Sequence, residues 1–155
     1  MFLYLVQHAQ AKSKEEDPER GLTEEGFSAI RKTASYAAKI GVKPVKLLHS
    51  DKLRAVQTAE VLNVALDIEE GDSLVDGLAP LDDPGIWAEN LLKETDESCM
   101  LVGHLPHLNK LSSLLLTGDP ESDIIDFKNA GITCLKRGED AAWSVEWILT
   151  PEIVE

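Results

Sequence analysis

The sequence predicts an α/β protein, a three-layer α/β/α sandwich with a mostly parallel sheet and a C-terminal antiparallel hairpin. Three observations carry this. Short apolar strand-like runs at residues 3–6, 45–49 and 98–102 lack the apolar/polar alternation of a half-exposed strand, which suits strands covered on both faces. Segments with helical periodicity lie between them. The chain then closes with two strand-like segments, 132–137 and 143–149, around Gly138-Glu139-Asp140, the pattern of a hairpin.

Residues 3–6 predict a central strand that delivers His8 to a loop. Residues 12–22 form a long polar connection with a charge-rich centre, which suits an active-site cover or a mobile surface loop. Thr23 starts a helix, with Glu24 and Glu25 favouring the positive end of its dipole and Gly41 stopping it. Phe27, Ile30, Ala34 and Ala37 make its buried stripe. After the second strand, Ser50 or Asp51 caps a helix that turns Leu53, Val56, Ala59 and Leu62 inward and ends before Asp67. Residues 67–85 read as mixed and turn-rich, and 86–93 as a further helix. The third buried strand ends at Gly103-His104, and Pro106 enters the first turn of a helix carrying Leu108, Leu111, Leu114 and Leu115 up to Gly118. In the last strand Trp143, Val145, Trp147 and Leu149 alternate with more polar neighbours, so one face is expected to be buried.

With 155 residues the chain fits one domain, 1–155, that buries roughly 70% of the surface its unfolded form exposes. No apolar run approaches the roughly 20 residues that span a bilayer, and the N-terminus lacks the pattern of a signal peptide. The expected location is therefore the cytoplasm, with Cys99 and Cys134 as reduced buried thiols. A formal net charge of −13 argues against nucleic acid and anionic membranes as partners. It does not argue against an anionic substrate, because screening limits repulsion to about 8 Å and local arginines can dominate a pocket. There are four arginines, at 20, 31, 54 and 137, so their positions carry information.

Three of the four histidines, His8, His49 and His104, fall just past the C-terminal ends of predicted strands, where open parallel sheets bind ligands. Arg54 lies in the first turn of a helix, where free amides already favour an anion. The chemistry that fits is nucleophilic catalysis on a phosphoryl group. A neutral imidazole takes up phosphate while cationic donors hold the charge spread over its oxygens. Arginine suits that task because its planar fork can bind two oxygens at once.

Four motifs occur in order over residues 1–116: Leu5-Val6-Gln7-His8-Ala9, Leu22-Thr23-Glu24-Glu25-Gly26, Ser50-Asp51-Lys52-Leu53-Arg54-Ala55-Val56-Gln57-Thr58-Ala59 and Leu101-Val102-Gly103-His104-Leu105-Pro106. The set resembles the histidine phosphatase superfamily, and the short length and the last motif resemble its phosphohistidine phosphatase, SixA-like, branch. The resemblance implies a phosphoglycerate mutase-like fold, His8 as the phosphorylated nucleophile, Arg54 as a phosphate clamp and His104 as a second phosphate ligand. It implies Arg20 as a further clamp, and Gln7 and Ser50 join it as substrate-binding candidates. No metal or organic cofactor is implied, and the substrate is a phosphorylated protein (phosphohistidine) or a small phosphate ester.

One departure matters. The family pattern has arginine before the nucleophile and glycine after it, where this chain has Gln7 and Ala9. Losing such a transition-state donor costs about 2.7–4 kcal/mol. Three outcomes stay open: a slow enzyme, a compensating cation from Arg20 or Lys12, or a phosphate binder that does not turn over. Candidates for a general acid are Asp76, Asp82 and Asp83, each also at home in a turn. An imidazole leaving group can depart already protonated, so a site without a dedicated acid favours phosphohistidine over a sugar phosphate. His49 either borders the pocket or packs on the sheet edge. A metal-dependent hydrolase built on His104, His107 and His49 is the remaining rival, without a closed ligand set to support it.

Overall fold

The computed structural model describes residues 1–93 and 97–154. Its strands are β1 (Phe2–Gln7), β2 (Lys46–His49), β3 (Asp72–Leu74), β4 (Cys99–Gly103), β5 (Ile132–Arg137) and β6 (Trp143–Leu149), and its helices are α1 (Glu24–Lys39), α2 (Leu53–Leu66), α3 (Pro84–Lys93) and α4 (His107–Thr117). One six-stranded sheet runs in the order β3-β2-β4-β1-β5-β6. The first four of these are mutually parallel, while β5 runs antiparallel to β1 and β6 antiparallel to β5. This is the expected three-layer architecture.

β1 sits between β4 and β5 with Leu3, Leu5 and Val6 inaccessible to solvent. Successive side chains point to opposite faces. Tyr4 and Val6 pack under α1 and α2 with Ile30, Ala34, Ala59 and Leu62, and Leu3 and Leu5 pack under α3 and α4 with Trp87, Leu91, Leu108 and Leu111. The unbroken apolar run of β1 is the direct consequence of this double cover. Cys99 and Cys134 are buried on opposite faces of the sheet. Among the described residues no helix is long and apolar enough to cross a membrane.

Four local features depart from expectation. The turn-rich stretch contains β3, which adds to β2 at the sheet edge; with three residues and two exposed side chains it has no periodicity to betray it. Neither Ser50 nor Asp51 caps α2. Its N-cap position is Lys52, which has no oxygen in its side chain to accept a helix N–H, while the Ser50 hydroxyl contacts His104 and the Lys52 N–H. Pro106 stands at the N-cap position of α4, one residue before the first turn. In β6 the register shifts between Cys134 and Leu135, which pair with Trp147 and Val145. A bulge therefore breaks the alternation. Trp147 packs on the α1/α2 face, Trp143 on the other, and Val145 is exposed.

The start of α1 is pressed against the loop that follows His8. The Thr23 side chain caps the helix by accepting the Gly26 N–H at 2.9 Å, and its own N–H donates to the Gln10 carbonyl at 3.0 Å. A Cβ on Gly26 would lie 2.2 Å from that carbonyl oxygen. Gly26→Ala is therefore expected to lose about 1–3 kcal/mol by overpacking, although alanine in a helix interior ordinarily stabilises. Urea unfolding checks the sign, and an unchanged or higher midpoint would refute the close approach.

Candidate active site

The candidate residues converge beyond the carboxyl ends of β1, β2 and β4, where the topology opens a crevice. His8 follows β1 directly, its N–H donating to the Gly103 carbonyl at 3.1 Å. Its ring folds back so that Nδ1 lies 2.7 Å from the Ala9 carbonyl. A carbonyl only accepts, so Nδ1 carries the proton and Nε2 keeps its lone pair. Burial lowers the His8 pKa to about 4; the Ala9 bond opposes this, and the charges of Arg54 and then Arg20 add to the lowering. At neutral pH the His8 ring is uncharged, with the Nε2 lone pair available.

His104 leaves β4 with its ring centroid 5.1 Å from that of His8 and 1% of its surface exposed. Burial first, then His8, Arg54, Lys52 and His107, lower its pKa to about 3. Its Nε2 is 2.6 Å from Ser50 Oγ. Arg54 stands in the first turn of α2, and burial, then Arg20, lowers its pKa. Three buried polar atoms in this cluster have no protein partner: Arg54 Nε, His104 Nδ1 and Gln7 Oε1. Buried polar groups are normally satisfied, and a ligand bound here would complete the bonding that the fold leaves open.

Arg20 reaches the cluster through a loop that is pinned rather than loose. Its backbone is left-handed (φ 54°) and its Nε donates to the Lys12 carbonyl at 3.0 Å. The Asp17 carboxylate accepts the Glu19 and Gly21 N–H groups, and Ala11 bridges to Leu22. Arg20 charge acts on His8 and Arg54, whereas Lys12 charge acts on Asp17.

Three further residues hold the site together without having been candidates. Thr58, fully buried, accepts the Ala9 N–H at 3.0 Å and donates to the Arg54 carbonyl at 2.7 Å, tying the loop after His8 to the first turn of α2. Gln57 accepts the Leu22 N–H at 2.7 Å. Both lie within the third motif, which could have flagged them. Asn129 donates to the His8 carbonyl at 2.9 Å from a loop with no sequence signal.

Of the acid candidates, Asp82 accepts the Ala79 N–H in a turn, and Asp83 accepts the Gly85 N–H at the start of α3. Asp76 is exposed and lines a cavity of about 390 Å³ with Ser50, Asp51 and Asp82. His49 is buried at the β2/β3 edge, its Nε2 3.5 Å from Asp72. His107 is buried behind Gly77, with Asp82 and Asp83 as the nearest charges. Among the described residues no group of three His, Cys, Asp or Glu could hold a metal ion, so His104, His107 and His49 do not form the triad that the rival metal-dependent reading needs.

His8, His104 and His107 all have pKa values below the 6.5 of the unfolded chain. Between that value and the folded ones the unfolded state binds more protons. Their stabilising contribution is complete above about pH 6.5 and is lost on acidification, by at most ~1.4 kcal/mol per pH unit for each histidine. Urea unfolding from pH 7 to 5, above the range of most carboxylates, should show a falling midpoint. A flat profile would contradict the neutral pair.

Comparison with known proteins places this geometry. Residues 3–76 match the family described as the histidine phosphatase superfamily (branch 1). The chain belongs to that superfamily, and its class is that of a phosphatase. Among its relatives, the phosphohistidine phosphatase SixA of Escherichia coli is 25% identical over 155 residues, covering 97% of this chain and 94% of that protein. An uncharacterized protein of Picosynechococcus is 31% identical over 144 residues, 89% of this chain and 86% of the relative. A solved protein histidine phosphatase SixA complexed with tungstate superposes with a TM-score of 0.86 at 25% identity, covering 97% of each chain. An α-ribazole phosphatase of Shigella flexneri shares the fold alone, at 11% identity and TM-score 0.81 over 97% of each chain. The chain is thus SixA-like.

Proposed function

We propose that the chain, as one domain over residues 1–155, is a phosphohistidine phosphatase that acts on a phosphorylated protein through a phospho-His8 intermediate. The observation that carries this is the pairing of a neutral His8, its Nε2 free, with His104 and Arg54, each keeping an unpartnered buried nitrogen beside it. His8 Nε2 attacks phosphorus, the P–N bond to the substrate imidazole breaks, and that imidazole leaves with the bonding pair. Arg54, Arg20 and His104 hold the phosphoryl oxygens while their charge spreads in the transition state. Water then attacks the phosphorus of phospho-His8, releasing inorganic phosphate and returning the electron pair to Nε2.

The leaving-group chemistry favours phosphohistidine over an ester. Asp82 and Asp83 are engaged by backbone N–H groups, and Asp76 is exposed along the cavity it lines with Ser50. An imidazole that departs protonated needs none of them. The reading requires neither metal nor organic cofactor. Arg20 is the cation that offsets the neutral Gln7, since its charge reaches both His8 and Arg54.

Gln7 itself favours a second reading, a phosphate- or phosphoprotein-binding module. Rapid-quench labelling separates the two. With a phosphohistidine-bearing protein as donor, the phosphatase gives acid-labile, base-stable phosphate on His8 during turnover. Tight phosphate or tungstate binding with no label and no released phosphate would select the binding module.

A further inference from the structure

We infer that Ser50 is a positioning residue that holds His104 in its Nδ1–H tautomer, and that His49 braces Ser50 for this task. The inference deepens the phosphatase reading above and rests on it for its catalytic consequence. The tautomer itself does not.

The direction of the 2.6 Å contact between Ser50 Oγ and His104 Nε2 follows from donor counting. A hydroxyl has one proton and two lone pairs. The Lys52 N–H, 3.4 Å away, donates to Oγ, and among the described residues Nε2 is the one acceptor in contact with this buried hydroxyl, so its proton goes there. A neutral imidazole carries a single proton, which then sits on Nδ1. That nitrogen is buried without a protein partner, in a ring 5.1 Å from that of His8. An unspent N–H there is the donor a phosphoryl oxygen needs. The opposite tautomer would spend its proton on Ser50 and leave a lone pair facing the anion.

The brace comes from the strand-end histidine that the phosphoryl chemistry left without a role. His49 Nδ1 donates to the Ser50 carbonyl at 2.8 Å, and its Nε2 lies 3.5 Å from Asp72 Oδ2. Asn63 in turn donates to Asp72 Oδ1 at 3.0 Å. The Nδ1 bond of His49 thereby fixes the Ser50 peptide at the end of β2 while the Ser50 hydroxyl contacts His104. His8 uses the same device, its Nδ1 bonded to the carbonyl of the next residue. Two parallel strands thus end in one local geometry, one aiming the nucleophile and the other aiming the serine.

Long-range ¹⁵N–¹H correlation spectra of the imidazoles read the tautomer directly in the full chain near pH 7. The wild type should show His104 protonated on Nδ1. In Ser50→Ala the ring should shift toward the Nε2–H form that predominates in water, with kcat on a phosphohistidine substrate falling roughly 10²-fold, the cost of an oxyanion donor no longer aimed. Ser50→Thr, which keeps the hydroxyl, should restore both. An Nε2–H tautomer in the wild type overturns the inference even if no variant folds, and so does an unchanged tautomer in Ser50→Ala. A wild type with the Nδ1–H tautomer but no turnover supports the tautomer while removing the phosphatase reading.

Discussion

His8→Asn is expected to abolish phosphate release, lowering kcat on the order of 10⁴-fold or more, because the step it removes is the formation of the P–N bond itself. The rest of the slot should survive. An asparagine amide can still donate toward the Ala9 carbonyl, and Arg54, Arg20 and His104 are held by contacts that do not involve the His8 ring. Tungstate binding should therefore persist while the acid-labile label disappears. Stability should change in the opposite sense to activity. A buried imidazole held at a pKa of about 4 is destabilising toward acid, so the variant should resist urea better than the wild type at pH 5. Residual labelling of the variant would place the nucleophile elsewhere.

Arg54→Ala is expected to lower kcat/KM roughly 10²–10³-fold, the magnitude found when one preorganised donor to a developing oxyanion is removed. Arg54→Lys should recover little, since lysine supplies a point charge and not the planar fork. A second signature tests the position of the charge. Arg54 lowers the pKa of both His8 and His104, so its removal should move the acid limb of the pH–rate profile upward. Burial, the larger cause for both rings, keeps them below 6.5. A lost rate with an unmoved acid limb would mean that the guanidinium acts at a distance from the histidine pair.

Much of the fold was legible because its signals are local. The run Leu3-Tyr4-Leu5-Val6 has no polar side to offer and required cover on both faces, which it has. Thr23 and Gly41 bound α1 as expected, with Gly41 at φ 82°. The hairpin segments coincide with β5 and β6. What escaped was short or depended on a partner strand. β3 takes its place from pairing with β2, and the bulge in β6 is a relation between two strands, invisible in either one.

The site divides in the same way. Residue type and strand-end position singled out His8, His104 and Arg54 as groups able to handle a phosphoryl anion, because that capacity belongs to the side chains. Ser50 reads in the sequence as a helix cap or a substrate-binding side chain, whereas in the fold its hydroxyl, just past β2, meets the histidine that follows the neighbouring β4. Thr58 and Asn129 are ordinary polar residues until folding sets them against the Ala9 N–H and the His8 carbonyl. The sequence by itself determined the layered sheet and the chemically capable residues, through apolar patterning and side-chain identity. Only the tertiary structure decided which partners the His8 and His104 rings meet and which cations act on them, because hydrogen bonds and charge act through distances that residues far apart in the chain acquire only when it folds.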